Sequence, residues 1–435
     1  MKIDENLMVH SDVITCDLTV IGAGMAGMAA AVFAVDTGLS TVQVGSNSEI
    51  GFASGLFDLL GIYPVRDQHK WNDPWTGIER LVRDIPQHPY ARLKTEEIQT
   101  AFEKLLSFLE DGGLTYIRHF NRNVNIITPM GTIKTTYCVP QTMWEGAETL
   151  KKKRSCLFVD IKGLKGFSAR LIAARLGDNW ANLRTARISF PETGNRGEVH
   201  PEHLANSLII KQNREKLAKQ ILPHVKDARI VGLPAVLGLY QSQKVVAHLT
   251  ELLGVPVFEI PTMPPSIPGL RLKEVFERGL QKKRPHYFTK KRVLEVNQIS
   301  NDKLKVNIGN KTREQTVVSK GVILATGRFI GGGLHADRQR IRETIFDLPV
   351  SQSGSRSKWH REDFLDPRGH LINQAGLEID AAFRPLDTNG RPAFPSLFAA
   401  GSILAHQDWK RTKSGVGIAV ATAYGAVKSF VHLCR

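Results

Sequence analysis

The stretch CDLTVIGAGMAGMAAAVFAVDTGLSTVQVGSNSE, residues 16 to 49, decides the fold. It reads as a short buried strand, a glycine-rich turn, an alanine-rich helix from Met25 to Thr37, Gly38 as a helix-ending residue, and a second strand. Gly22, Gly24 and Gly27 form GxGxxG between strand and helix, where the lack of side chains permits a tight turn and lets a phosphate reach backbone N–H groups. In such βαβ units a Glu or Asp at the end of the second strand, about 20 residues past the glycines, holds the hydroxyls of an adenosine ribose. Here Val44 is followed by Gly45 and Ser46.

Two later turns extend the pattern. HYFTKKRVLEVNQI (286–299), NDKLKVNIGN (301–310) and REQTVVSKGVILATG (313–327) read as successive strands, the last ending in Thr326 and Gly327. FPSLFAAGSILA (394–405) is a strand into a turn at Gly401 and Ser402, and SGVGIAVATAYGAVKSFVHL (414–433) is a closing helix opened by Gly415 and Gly417. A glycine fingerprint first, an ATG turn in the third quarter and an AAG turn before a last helix is the layout of flavin oxidoreductases of the glutathione reductase and fumarate reductase kind. The expected fold is α/β: a Rossmann-like flavin-binding domain from 1–70 and 271–435, with an inserted α/β substrate or partner domain over 71–270. Within the insert, CLFVDI, GFSARLIAARLG, ARIVGLPAV, QKVVAHLTELLG and VPVFEIP alternate strand and helix, while 190–203 and 261–269 read as Pro-containing connections. IGFASGLFDLLGIYPV (50–65) reads as a loop folded over something, with Ser54 and Gly55 as cofactor-binding candidates.

Bulk properties narrow the function. A net charge of +16 favours acidic partners, but the basic runs KKKR (151–154) and KKR (282–284) are short and lack interleaved aromatics, so nucleic acid is excluded. Cys16, Cys138, Cys156 and Cys434 show no CxxC spacing, so no zinc or iron–sulfur site is read from them and no metal is expected. They fit a reducing cytoplasm. The N-terminus has no apolar signal core, and no run of about 18 apolar residues stands out as a membrane span.

The missing acid at Gly45 and a Ser402 where such flavoproteins carry an Asp towards the ribityl chain both concern the cofactor. FMN, which has no adenosine, explains the first; FAD held by backbone with Ser46 or Asn47, or a site that holds nothing, are the alternatives. The closing helix would turn its positive end, at Gly415 and Gly417, to the flavin pyrimidine. Oxidation of an alcohol also needs a base and cations: Arg328, His335, Arg338, Arg342, His360, Arg384 and His406 are candidates, and Arg384 before a Pro is the foremost anion contact.

FASGLFDLL (52–60), HPYARL (88–93), TPMGTIKTT (128–136), GLPAVLGL (232–239), PTMPPSIPGLRL (261–272), ATGRFIGGGL (325–334) and FAAGSILA (398–405) together resemble the B-type flavoprotein subunit of the bacterial anaerobic glycerol-3-phosphate dehydrogenase. The resemblance implies FMN and conversion of sn-glycerol 3-phosphate to dihydroxyacetone phosphate in a unit with a catalytic A-type subunit. It further implies a C-type iron–sulfur membrane subunit carrying electrons to quinone, with fumarate or nitrate as final acceptor. The chain would then sit in the cytoplasm, held at the inner face of the membrane by its partner. A stand-alone FAD oxidoreductase of fumarate reductase type and a non-catalytic relay or scaffold are the other readings. A longer N-terminal extension and the basic DWKRTKSG (408–415) depart from the family's pattern.

Overall fold

A computed structural model of the chain describes residues 13–45, 48–177, 180–191, 197–283, 286–289, 291–300, 303–309 and 314–434. Its central strand, Val13–Ile21, is buried on both faces from Leu18 to Ile21 and pairs in parallel with Thr41–Gly45 on one side and Glu314–Leu324 on the other. Leu397–Ala399 runs parallel beside the end of Glu314–Leu324. Ile21, Gly45, Leu324 and Ala399 therefore finish at one edge, and the loops after them are gathered where α/β sheets bind ligands.

The meander expected after residue 286 is there with one difference. Arg292–Ser300 and Lys303–Gly309 pair antiparallel outward from Glu314–Leu324, but His286–Thr289 is a separate strand lying parallel to Thr41–Gly45. The sequence reads the two as one run.

A second sheet is all parallel, in the order Val257–Ile260, Ile230–Pro234, Cys156–Ile161, Leu183–Ile188. Every residue of Cys156–Ile161 is buried, as befits a central parallel strand covered on both faces. The core of this second sheet draws on residues from Ile127 to Ile267. Helices Pro74–Asp84 and Thr95–Asp111 put Trp75, Ile78, Leu81, Phe102 and Leu105 into the core of the first sheet, where an insert over 71–270 would place them in the second. Their amphipathic stripes require burial without saying against which sheet.

Residues 261–269, expected as a connection, already contain the start of a helix, Ile267–Lys282. Ser266 caps it, its Oγ accepting the Gly269 N–H at 3.1 Å, and Pro268 sits in the first turn where a missing N–H is harmless. The closing helix, Gly415–Leu433, is by length and composition apolar enough to cross a membrane, contrary to the expectation that no such run exists, yet its strongest window is 61% buried. It packs against Met25–Asp36 and Thr95–Asp111 with Ile418, Val420, Ala421, Ala423 and Phe430 in the core, which accounts for its apolar character.

Candidate functional site

At the first turn, Gly22 has φ +129°, and a Cβ on it would lie 2.2 Å from the Ala325 carbonyl oxygen. A Cβ on Gly27 would meet the Gly22 oxygen at 2.1 Å. These two glycines let strand, turn and helix close up, and Gly24 is the N-cap of Met25–Asp36, with no side-chain cap and no acid in the first turn. The N–H groups at that end are thus left for an anion. Gln43, fully buried on the second strand, braces the turn through Nε2, which donates to the Gly22 carbonyl at 3.0 Å, while its Oε1 has no partner.

Gly45 explains the absent acid structurally. A Cβ there would stand 2.9 Å from the Ala23 nitrogen, so the strand passes too close to the turn to carry any side chain at this position. Ser46 lies outside the described residues.

The ATG and AAG turns converge on the same edge. Thr326 Oγ1 is buried without a partner, and Ser402 Oγ is 3.5 Å from where a Gly327 Cβ would be. Gly401, at φ +82°, donates its N–H to Thr422 Oγ1 at 2.8 Å and lies against Ala26 of the first helix. Gly22, Gly24, Gly27, Thr326, Gly327, Gly401 and Ser402 are thus brought together at one end of the first sheet.

Three other glycines proposed as cofactor contacts are instead taken by protein. Gly417 donates its N–H to the Asp58 carbonyl at 2.7 Å, and a Cβ on it would be 2.1 Å from Tyr90 Oη. Gly415 faces the Trp409 ring and Gly55 faces Pro268, while Ser54 Oγ accepts the Leu56 N–H at 3.4 Å. The loop of 50–65 is folded over the start of the closing helix, which Leu59 and Tyr90 cover.

The cations also sort themselves. Arg384 does not present a free fork: its Nε and terminal nitrogen bind Asp380 at 2.8 and 2.7 Å. Arg328 donates to the carbonyls of Asn373, Leu404 and Gln407, and burial pulls its pKa down to about 10; it ties the ATG loop to the segment after Ser402. His335, Arg338 and Arg342 stand on the hairpin of Leu334–Ala336 and Ile341–Glu343, with Arg342 Nε 3.5 Å from Asp337; His360 is exposed beside His370. His406 is different: its Nε2 meets Glu378 Oε1 at 3.0 Å and it lines a cavity of about 60 Å³ with Arg92 and Gln87. Among the described residues no cluster of His, Cys, Asp and Glu could hold a metal.

His88, in sequence between Gln87 and Pro89 of that cavity's wall, carries no signal at the level of single residues in the sequence. Its Nδ1 accepts the Tyr90 N–H at 3.1 Å, and burial, helped by the charge of His406, pulls its pKa down to about 3. Its ordinary value in an unfolded chain is near 6.5. The unfolded state then binds more protons between these values, so the His88 contribution to stability is intact above pH ~6.5 and is lost as pH falls towards ~3. Acid titration followed by circular dichroism is expected to show a lower unfolding midpoint pH for His88→Asn, which cannot be protonated; an unchanged midpoint would refute this.

Glycine turns at the ends of neighbouring parallel strands, with an open helix N-terminus above them, define a flavin-type oxidoreductase. The FAD binding domain family matches residues 17–418. The B-type subunit of anaerobic glycerol-3-phosphate dehydrogenase from Vibrio vulnificus is 27% identical over 428 residues, covering 96% of both chains. The probable B-type subunit of the same enzyme from Halobacterium salinarum is 30% identical, covering 95% of this chain and 97% of its own. Among solved structures, 3-ketosteroid delta1-dehydrogenase from Sterolibacterium denitrificans aligns with 96% of this chain and 100% of its own, at 13% identity and a TM-score of 0.45. The chain belongs to the family of flavin oxidoreductases formed by these B-type subunits.

Proposed function

We propose that this chain is a flavin-binding subunit that takes part in oxidising sn-glycerol 3-phosphate to dihydroxyacetone phosphate. Its electrons would leave through an iron–sulfur partner to quinone at the inner face of the cell membrane, within an A-, B- and C-type assembly. The relatives' names support the substrate and the existence of other subunits. The observation that carries the flavin is the uncapped N-terminus of Met25–Asp36 behind the Gly22 turn. Gly22, Gly24 and Gly27 would hold phosphate, with Thr326 and Ser402 offering hydroxyls to the rest of the group. Bound there, a flavin supplies a hydride acceptor for the carbinol carbon. His406, its Nε2 held by Glu378, would take the hydroxyl proton at Nδ1.

The matched family favours FAD. FMN is the second reading, and the close passage of Gly45 over Ala23, which leaves no room for a ribose-holding acid, is the observation that favours it. Denaturing the purified protein and identifying the released compound by chromatography and mass decides between them. Gly24→Val is expected to abolish flavin retention in a folded protein, because a branched Cβ at the helix N-terminus blocks phosphate approach. A protein that neither carries flavin nor takes it up on reconstitution overturns the proposal.

A further inference from the structure

The short turn Pro89–Arg92, capped by His88, carries two buried donors that the fold leaves idle. His88 is 1% exposed and uses Nδ1 to accept the Tyr90 N–H, so its ring proton sits on Nε2, and that N–H has no acceptor. Arg92 Nε, also buried, has none either. Proteins seldom leave such donors unpaired, since each one forfeits the hydration it had in the unfolded chain.

Arg92 opens onto the cavity of about 60 Å³, whose other walls include Gln87, Pro89, Glu378, Ile379 and His406. One water needs only about 10–15 Å³ of such space, so several waters or one tetrahedral anion fit. The surroundings point the same way. Tyr90, in the same turn, donates its hydroxyl to the Leu59 carbonyl at 2.7 Å and lies against Gly417 in the first turn of the closing helix. The turn that walls the cavity thus reaches that helix end through Tyr90, and another stretch of the wall, Leu404 to His406, lies just after the Gly401–Ser402 turn of the candidate flavin site. The one carboxylate on the wall, Glu378, accepts a hydrogen bond from His406, and the Arg92 guanidinium is the wall's permanent cation, with no acceptor at its Nε.

We infer that this cavity is an anion subsite that seats the phosphate of a phosphorylated substrate, with Arg92 as its charged donor. Phosphate oxygens only accept hydrogen bonds, which is what the idle Nε–H of the Arg92 cation requires. That the phosphate belongs to a polyol rests on the function proposed above; the anion subsite itself does not.

The test is calorimetric titration of the purified full-length chain, at low salt, with inorganic phosphate, sn-glycerol 3-phosphate and glycerol, for the wild type, Arg92→Gln and Arg92→Lys. Circular dichroism checks the fold of each variant. Both phosphate compounds are expected to bind the wild type and glycerol is not. Arg92→Gln is expected to weaken phosphate binding roughly 10- to 100-fold, the loss of one charge-assisted donor set, with Arg92→Lys in between. Phosphate affinity unchanged in Arg92→Gln, or no phosphate binding by the wild type, overturns the inference. If Arg92→Gln does not fold, undiminished binding by Arg92→Lys overturns it and a several-fold loss upholds it. Arg92-dependent phosphate binding by a chain that neither carries nor takes up flavin would remove the proposed function and keep the subsite; a flavin-bearing chain with no Arg92 dependence of phosphate binding would remove the subsite alone.

Discussion

Glu259→Ala is expected to lower the free energy of unfolding by about 3–5 kcal/mol, the usual penalty for stranding one member of a buried ion pair. Glu259 and Arg271 are 1% and 3% exposed, and the guanidinium meets the carboxylate with two parallel bonds of 2.6 and 2.8 Å. The rest of the valence is filled: Thr142 Oγ1 and the Leu237 N–H also donate to the carboxylate, at 2.7 and 2.8 Å, and Arg271 Nε donates to the Gly238 carbonyl at 2.8 Å. Removing the acid leaves a buried cation with no counter-charge. The location enlarges the consequence, because Glu259 is on the second sheet while Arg271 belongs to a helix whose Leu272, Phe276 and Leu280 enter the first core. The pair joins the two sheets. Denaturant unfolding of Glu259→Leu, Arg271→Met and Glu259→Leu/Arg271→Met tests this as a cycle, with Glu259→Ala measured beside it. The double variant is expected to recover part of the loss, since the pair roughly balances its own desolvation, but not all, because Thr142, Leu237 and Gly238 lose their partners. Independent, additive effects would show that the two groups are not coupled.

What the sequence discloses follows from how local each cause is. The first βαβ unit is legible because strand, glycine turn and helix lie within residues 16–45 and each signal supports the next. The division into His286–Thr289 and Arg292–Ser300 is not, since an alternating run looks the same whether it pairs with one sheet neighbour or two in succession. Helix Ile267–Lys282 has a readable start in Ser266 and Pro268, which cap-and-proline logic finds, but the neighbouring prolines at 261, 264 and 265 read more strongly as a connection.

The candidate site divides along the same line. Gly22, Gly27 and Gly401 are required by close backbone and side-chain contacts, and their spacing announces it. Gly55, Gly415 and Gly417 are required just as strictly, but by Pro268, Trp409, Tyr90 and Leu59; a glycine admits a ligand and a side chain equally, so sequence cannot tell which. Arg384 fails for a related reason, because a guanidinium fork suits Asp380 as well as it suits a substrate anion. His88 and Arg92 have one signal, their place in HPYARL, and their importance emerges only once burial leaves their donors unpaired.

Gly22→Ala is expected to cost about 3 kcal/mol or more and to remove flavin binding with it. The new Cβ would stand 2.2 Å from the oxygen and 2.6 Å from the carbon of the Ala325 carbonyl. Neither side can retreat. Ala325 donates its N–H to the Ile21 carbonyl at 2.8 Å, Gly22 donates to the Val44 carbonyl at 2.8 Å, and Ile21 is in register with Leu324 in the parallel ladder. A φ of +129° adds strain for any L side chain. Gly38→Ala is the matched control: it follows the end of the same helix at φ +82° with no atom within 4 Å of the new Cβ, so only the left-handed backbone preference is lost, about 1 kcal/mol. Thermal and denaturant unfolding of the two variants, with flavin content measured on each, separates backbone preference from steric exclusion. Equal effects would mean that contact with the Ala325 carbonyl does not constrain the first turn, and would remove that contact as the reason Gly22 is required. A large loss at Gly22 beside a small one at Gly38 would establish that contact between the first turn and the ATG turn, through Ala325, is what holds the site's geometry.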